Sequence, residues 1–417
     1  MFTEFKIPQL ITILFAFTLF LRNVGGAFHL INIGIPMGLI LILSVINNVS
    51  TRRIFENYSY FAIFLLFITY LFVGTFYTNA PNYGRTKTFG LFIFILMAII
   101  SGKYIVSNFS LFLKSNLFFF IVFFVSYFAF YGSFGGVLKF VSEEDRLGMG
   151  GEAFKAIATS QYIGFNLISL FFLFFRLNFE NKFKHLIFGF LFALGFFMMI
   201  LFGSKGPILS LLLAPLIFIF FYQKYSLKKT LVLVAAIVVI GFILLFPETI
   251  IRIIPQQYQA YFHDRFFNYE SYITGARPSL IKFAISDIDK NSLIFGKGTG
   301  NYGFLYTQMD MKIHPHNIFV EFLYENGIFG LFFFIIILFR YLFVKTSVNY
   351  FLNMKSFLVI LVFYYLLGAQ VSGDFSNNFA LFVFLILLFY QIENEKEVLL
   401  ILQIINESQN GTAQLKL

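Results

Sequence analysis

The sequence predicts an all-α polytopic membrane protein of about twelve spanning helices, with one large extracytoplasmic loop between helices nine and ten. Three observations predict it. Of 417 residues, 59% are hydrophobic and only 12% charged, about half the charged share that a soluble surface carries. The mean hydropathy is +0.83. Apolar runs approaching the roughly 20 residues that cross a bilayer recur along nearly the whole chain. With no cysteine present, disulfide scaffolds, thiolate metal sites and a cysteine nucleophile are excluded. Disorder, coiled coil and soluble nucleic-acid binding fall to the same composition. The expected partner is therefore the lipid bilayer, and nucleic acid is not one.

In chain order the runs lie near 6–22, 28–46, 58–77, 88–106, 113–131, 156–175, 184–203, 207–222, 229–247, 317–343, 356–372 and 378–392. The first, behind Lys6, has the look of a signal peptide. So many spans follow it that it reads as an uncleaved first helix. This divides the chain into helices one to nine (1–247), a loop with short helices (248–316), helices ten to twelve (317–392) and a tail (393–417).

Orientation follows from Lys and Arg in the short loops. Arg52, Arg53, Lys103, Lys114, Arg176, Lys182, Lys184, Lys224, Lys228, Lys229, Arg340, Lys345 and Lys355 fall on one side. Only Arg22, Arg85, Lys87 and Lys205 fall on the other. The first side, with both termini, is expected in the cytoplasm. The acidic Glu393, Glu395 and Glu397 then read as a solvated cytoplasmic end. The net charge of +10 suits anionic lipid head groups, and the basic residues of the outer loop suit an anionic substrate there.

Four segments between or beside the spans carry possible chemistry. In Gly203-Ser204-Lys205-Gly206-Pro207, Lys205 either snorkels to the head groups or is a fixed cation at the outer mouth of a helix pair. In Gly275-Ala276-Arg277-Pro278-Ser279, Pro278 and Ser279 fit the first turn of a helix. Arg277 then sits at a helix entrance, where anions are favoured, with a planar fork suited to phosphate oxygens. An ion pair with Asp264 or Glu270 is the competing reading. The run Gly296-Lys297-Gly298-Thr299-Gly300-Asn301-Tyr302-Gly303 superficially resembles a phosphate loop. It lacks the strand–loop–helix setting of a nucleotide fold, so Gly298 and Gly300 are expected in a flexible loop lining a substrate cleft.

The fourth segment runs from His314-Pro315-His316-Asn317 to Gly327 and Gly330. A helix starting after Pro315 puts His316 and Asn317 at its outer tip, with Glu321 and Glu325 below them on one polar stripe. Ionisable residues in a span are costly and mark a cavity or a partner. Histidine can move protons near neutral pH, and the carboxylates are placed to set its charge state.

This last segment resembles the catalytic region of the bacterial O-antigen ligases: His, then Asn, Ser or Gln, nine residues, Gly, two residues, Gly. His316-Asn317, the residues from Ile318 to Asn326, Gly327 and Gly330 match it. Ser204-Lys205-Gly206 corresponds to the family's Ser-Arg-Gly element, with Lys keeping the charge but not the bidentate fork. Arg277 and the glycine-rich Gly296–Gly303 segment also fit the O-antigen ligase and polymerase superfamily. The resemblance implies a GT-C-type membrane glycosyltransferase of the bacterial inner membrane, inverting, with neither metal nor other cofactor. It would take a glycan from undecaprenyl diphosphate to an acceptor hydroxyl, lipid A-core for a ligase, at a periplasmic site. His316, Arg277 and Lys205 are the expected catalytic residues, with His314, Asn317, Glu321, Glu325, Gly298 and Gly300 around the substrate. A polymerase joining lipid-linked repeat units and a polysaccharide flippase are the alternatives. The flippase is disfavoured because the polar residues gather at one face and no repeated halves are visible.

Overall fold

A computed structural model describes residues 6–24, 33–50, 61–131, 156–176, 182–202, 204–222, 276–342, 354–371 and 373–395, with isolated positions between 252 and 263. Among the described residues every regular element is a helix. The first eight are α1 (Ile7–Val24), α2 (Gly34–Ser50), α3 (Ala62–Gly74), α4 (Pro81–Ser107), α5 (Phe109–Tyr131), α6 (Ala156–Arg176), α7 (Lys182–Leu201) and α8 (Lys205–Tyr222). The loop segment holds α9 (Ala276–Asp287), α10 (Ser292–Phe295) and α11 (Asn301–Thr307). Then follow α12 (Ile318–Leu342), α13 (Met354–Gly368) and α14 over 379–395.

Four of these are long and apolar enough to cross a membrane: Pro81–Ser107, Phe109–Ala129, Ile157–Phe174 and Ile318–Arg340. Six shorter apolar helices accompany them, and the expected run at 229–247 lies outside the described residues. The protein is thus a polytopic helical membrane protein. One difference from the sequence reading bears on the site. The fourth helix begins at Pro81 rather than near 88, because proline suits a first turn. Asp310 closes that turn by accepting hydrogen bonds from the Asn82 and Tyr83 amides, both at 3.1 Å. Arg85 and Lys87, expected in a short loop, are therefore inside α4.

Helix packing relies on phenylalanine and on glycine. Phe94 stacks on Phe379 with centroids 4.0 Å apart, and Phe322 lies between Phe334 and Phe375. Without a hydrophobic driving force between helices in lipid, close contact must supply the attraction. Gly102 leaves room for the Tyr390 ring, and Gly164 for the Tyr364 hydroxyl. At the other end of the chain, Glu395 accepts from Lys355 at 3.3 Å and from Gln391 at 3.0 Å. It caps a helix–helix contact instead of standing free in solvent.

Candidate functional site

The polar residues gather where α12 begins, beside the starts of α4, α8 and α9 and the turn before α14. Asn317 starts α12 as its cap. Its Oδ1 accepts from the amides of Phe319 and Val320, both at 3.1 Å, satisfying donors that a helix N-terminus leaves open. The side-chain oxygen expected beside the substrate is thus engaged with the backbone.

His316, one residue earlier, has φ 57°. A non-glycine residue in the left-handed region is uncommon and costs roughly 1–2 kcal/mol, and such strain concentrates at functional sites. The His314 and His316 rings lie 4.3 Å apart, centroid to centroid. Both His314 nitrogens and the His316 Nδ1 are buried without a hydrogen-bond partner. Burial first, and then the Arg277 charge, lowers His316 to a pKa of about 4, against an opposing pull from Asp374. Burial likewise lowers His314 to about 3. Both rings are therefore neutral at physiological pH, the form that can accept a proton.

Arg277 is exposed in the first turn of α9, with Pro278 and Ser279 behind it, as the sequence suggests. Its charge acts on both His316 and Lys205, so the three residues lie within electrostatic reach of one another. Lys205 is half-buried as the first residue of α8, after buried Ser204. Gly203 and the competing partners Asp264 and Glu270 lie outside the described residues.

Glu321 and Glu325 do not reach the histidines. They close on Lys87 of α4, whose Nζ lies 2.5 Å from Glu321 Oε1 and 2.6 Å from Glu325 Oε2, with all three side chains sealed from solvent. The ammonium also sits 4.2 Å over the Phe375 ring. The helix stripe read as setting the histidine charge is an interhelical clamp. The physical reason is the four-residue spacing, which aims both carboxylates at one neighbour.

Asp374, fully buried, is the acid that does approach the histidines. It accepts from the Tyr83 hydroxyl, from Ser376 Oγ at 2.8 Å and from the Asn377 amide at 2.7 Å, and pairs with Lys312 at 3.7 Å. Burial opposes its ionisation, but the Lys87 and Lys312 charges and the Tyr83 hydrogen bond help to outweigh that and hold its pKa below the usual carboxylate range. Sequence reasoning passed over Tyr83, Lys312 and Asp374, and read Lys87 only as a loop cation. A lone acid between two apolar runs was the available signal for Asp374.

The glycine-rich segment is packed. Gly298 and Gly300 are buried with φ 99° and 82°, and added Cβ atoms would strike Thr78 and Gly84 at 2.7–2.8 Å. Only glycine allows this backbone conformation and this approach together.

Together these features define a membrane protein with a one-ended polar site of neutral imidazoles, two cations and a buried acid. Residues 189–335, about a third of the chain, match the family model described as O-antigen ligase. That stretch is similar to the O-antigen ligases, and it is the part of the chain that carries the His316–Gly330 segment. The match covers Lys205, Arg277, His314, His316 and both glutamates, and leaves Lys87 and Asp374 outside it. No curated protein matches, and neither does any solved structure.

Proposed function

We propose that this chain is a ligase-type glycosyltransferase that moves a glycan from undecaprenyl diphosphate to an acceptor hydroxyl, lipid A-core, on the periplasmic side of the inner membrane. The observation that carries it is His316, held with φ 57° and an unpartnered Nδ1 at the tip of α12, with the Arg277 charge acting on it and on Lys205. The acceptor oxygen forms a bond to the anomeric carbon as the bond from that carbon to the diphosphate breaks, inverting the centre. The acceptor proton passes to a ring nitrogen of His316. Charge gathers on the departing diphosphate, which Arg277 and Lys205 face; fixed cations there lower the barrier. Lys87, Glu321, Glu325, Asn317, Gly298 and Gly300 act from behind by holding the start of α12 in place.

The reaction uses no metal and no other cofactor in this reading. A polymerase differs only in its acceptor, a second lipid-linked repeat unit. The clustering of ionisable residues at one end of the helices, with apolar cores below, supports a transferase over a flippase. The test is glycan transfer in purified membranes from undecaprenyl-diphosphate-linked donor, offering lipid A-core and lipid-linked repeat unit separately. His316→Ala should abolish transfer while the protein still accumulates, and His314→Ala should be milder. Normal transfer by His316→Ala would defeat the mechanism. Transfer to the repeat unit alone would make the protein a polymerase.

A further inference from the structure

α12 is not continuous. Gly327 has φ 64° and ψ −168° inside it, which ends one helical segment and begins another. From Gly327 to Arg340 the second segment is about 20 Å long at 1.5 Å per residue, short of the roughly 30 Å of hydrocarbon. With Arg340 at the far surface of the bilayer, the break falls at membrane depth. Residues 293–300 sit against it: a Cβ at Gly327 would meet the Ile294 carbonyl oxygen at 2.2 Å, and one at Gly296 the Asn326 amide at 2.3 Å.

Irregular backbone survives at that depth only if its polar groups are satisfied within the protein. The amides from Gly296 to Asn301 are all paired in this way. Gly296 donates to the Ser292 carbonyl at 2.7 Å, Lys297 to Tyr324 at 2.9 Å, Gly298 to Glu325 at 2.9 Å and Thr299 to Gly74 at 3.1 Å. Gly300 donates to Glu325 Oε2 at 2.9 Å, and Asn301 to the Gly298 carbonyl at 3.1 Å. The carbonyls of Tyr324 and Glu325 end the first helical segment, where acceptors are left open. The Asn326 carbonyl is taken by the Tyr70 hydroxyl at 2.7 Å.

The other side of this segment is bare and apolar. Leu293, Ile294 and Phe295 are exposed, Phe295 at 56%. The Phe295 ring stacks on Phe329 with centroids 5.5 Å apart. Ile328, Phe329 and Phe332 continue the same exposed face along α12, a helix that spans the membrane. Asp289, Lys290 and Asn291 stand exposed just before it, so polarity changes sharply within one short stretch.

We propose that residues 293–300 form a re-entrant element seated in the leaflet on the side of the large loop, with bilayer acyl chains covering Leu293, Ile294 and Phe295. The amide pairing shows a segment built for absence of water, and the apolar face continues that of a lipid-facing span. The inference rests on α12 crossing the membrane and is independent of glycan transfer.

The chain contains no tryptophan, so a single introduced one reports its own surroundings. Phe295→Trp in the full chain, reconstituted in phosphatidylcholine vesicles, should emit at short wavelength. Brominated phosphatidylcholine should quench it as strongly as Phe332→Trp on α12. Met309→Trp, an exposed loop position, should instead be quenched by aqueous iodide. Leu293→Trp repeats the measurement should the first variant accumulate poorly. Iodide quenching of both loop tryptophans without bromolipid quenching would overturn the proposal. Shielding from both quenchers would assign the face to a protein partner, and shielding that needs added undecaprenyl phosphate would assign it to a substrate chain. Either result also overturns it.

Discussion

Lys87 and Glu325 meet at 2.6 Å across the α4–α12 interface, both wholly buried, although 238 residues separate them in the chain. Glu325 uses the same Oε2 to accept from the Gly300 amide. One carboxylate oxygen therefore ties a span, the helix carrying the histidine site and the glycine segment into a single unit.

Removing the cation from that unit leaves two carboxylates without a counter-charge. Breaking a buried ion pair by deleting one partner costs about 3–5 kcal/mol. Lys87→Met should therefore lower thermal stability in detergent strongly. Adding Glu321→Leu and Glu325→Gln should restore much of the loss, because Gln can still accept from Gly300. A Lys87→Met protein that melts like the parent would show that the clamp contributes nothing net.

The motif glycines can be tested by adding one carbon. Gly327→Ala forces a left-handed backbone on alanine and drives a Cβ into the Ile294 carbonyl. The conformation alone costs about 1–2 kcal/mol. Gly90, with nothing within 4 Å of an added Cβ, should accept alanine with unchanged or slightly raised stability. Equal melting temperatures for the two variants would remove the structural explanation of the motif.

The cation pair is separable by charge and by shape. Arg277→Ala should reduce transfer at least about tenfold, the equivalent of 1.4 kcal/mol, since charged hydrogen bonds contribute about 1.5–3 kcal/mol. Lys205→Arg should keep most activity, while Lys205→Ala and Lys205→Glu should lose it. Normal transfer by Lys205→Glu, measured with lipid-linked donor, would leave Arg277 as the single diphosphate cation.

Stability should depend on pH through the two histidines. Both have folded pKa values below the ordinary value of 6.5, at about 3 for His314 and about 4 for His316. The unfolded chain then takes up protons first as pH falls, so stability is full above roughly pH 6.5 and declines from there toward about pH 3. His314→Gln combined with His316→Gln should flatten that window of the melting curve. An unchanged slope in the double variant would mean other groups control it.

Topology offers a last check. Reporters fused after residue 290 and at residue 226 should read as extracytoplasmic and cytoplasmic respectively, as the basic-loop asymmetry requires. Reversed signals would place Arg277 and His316 away from a periplasmic substrate.

Membrane class and most helix positions were legible in the sequence because the hydrocarbon imposes one simple demand, a long apolar run. His316, Arg277 and Lys205 were singled out as candidates from the sequence, the first by its motif, the others as isolated cations beside spans, and their catalytic roles are proposals. Local rules also placed Pro278 and Ser279 in the first turn of α9, since capping is a short-range matter. What Glu321 and Glu325 touch was decided only by the tertiary structure. Spacing put both on one stripe, but which element faces that stripe depends on how α4 packs, and Lys87 lies more than two hundred residues away. The charge of Asp374 acts on the histidines, Ile294 and Gly296 pack against the break in α12, and Gly298 and Gly300 donate to Glu325, for the same reason. A buried charge or an open backbone amide must find its partner in space, and distance along the chain says nothing about where that partner will be.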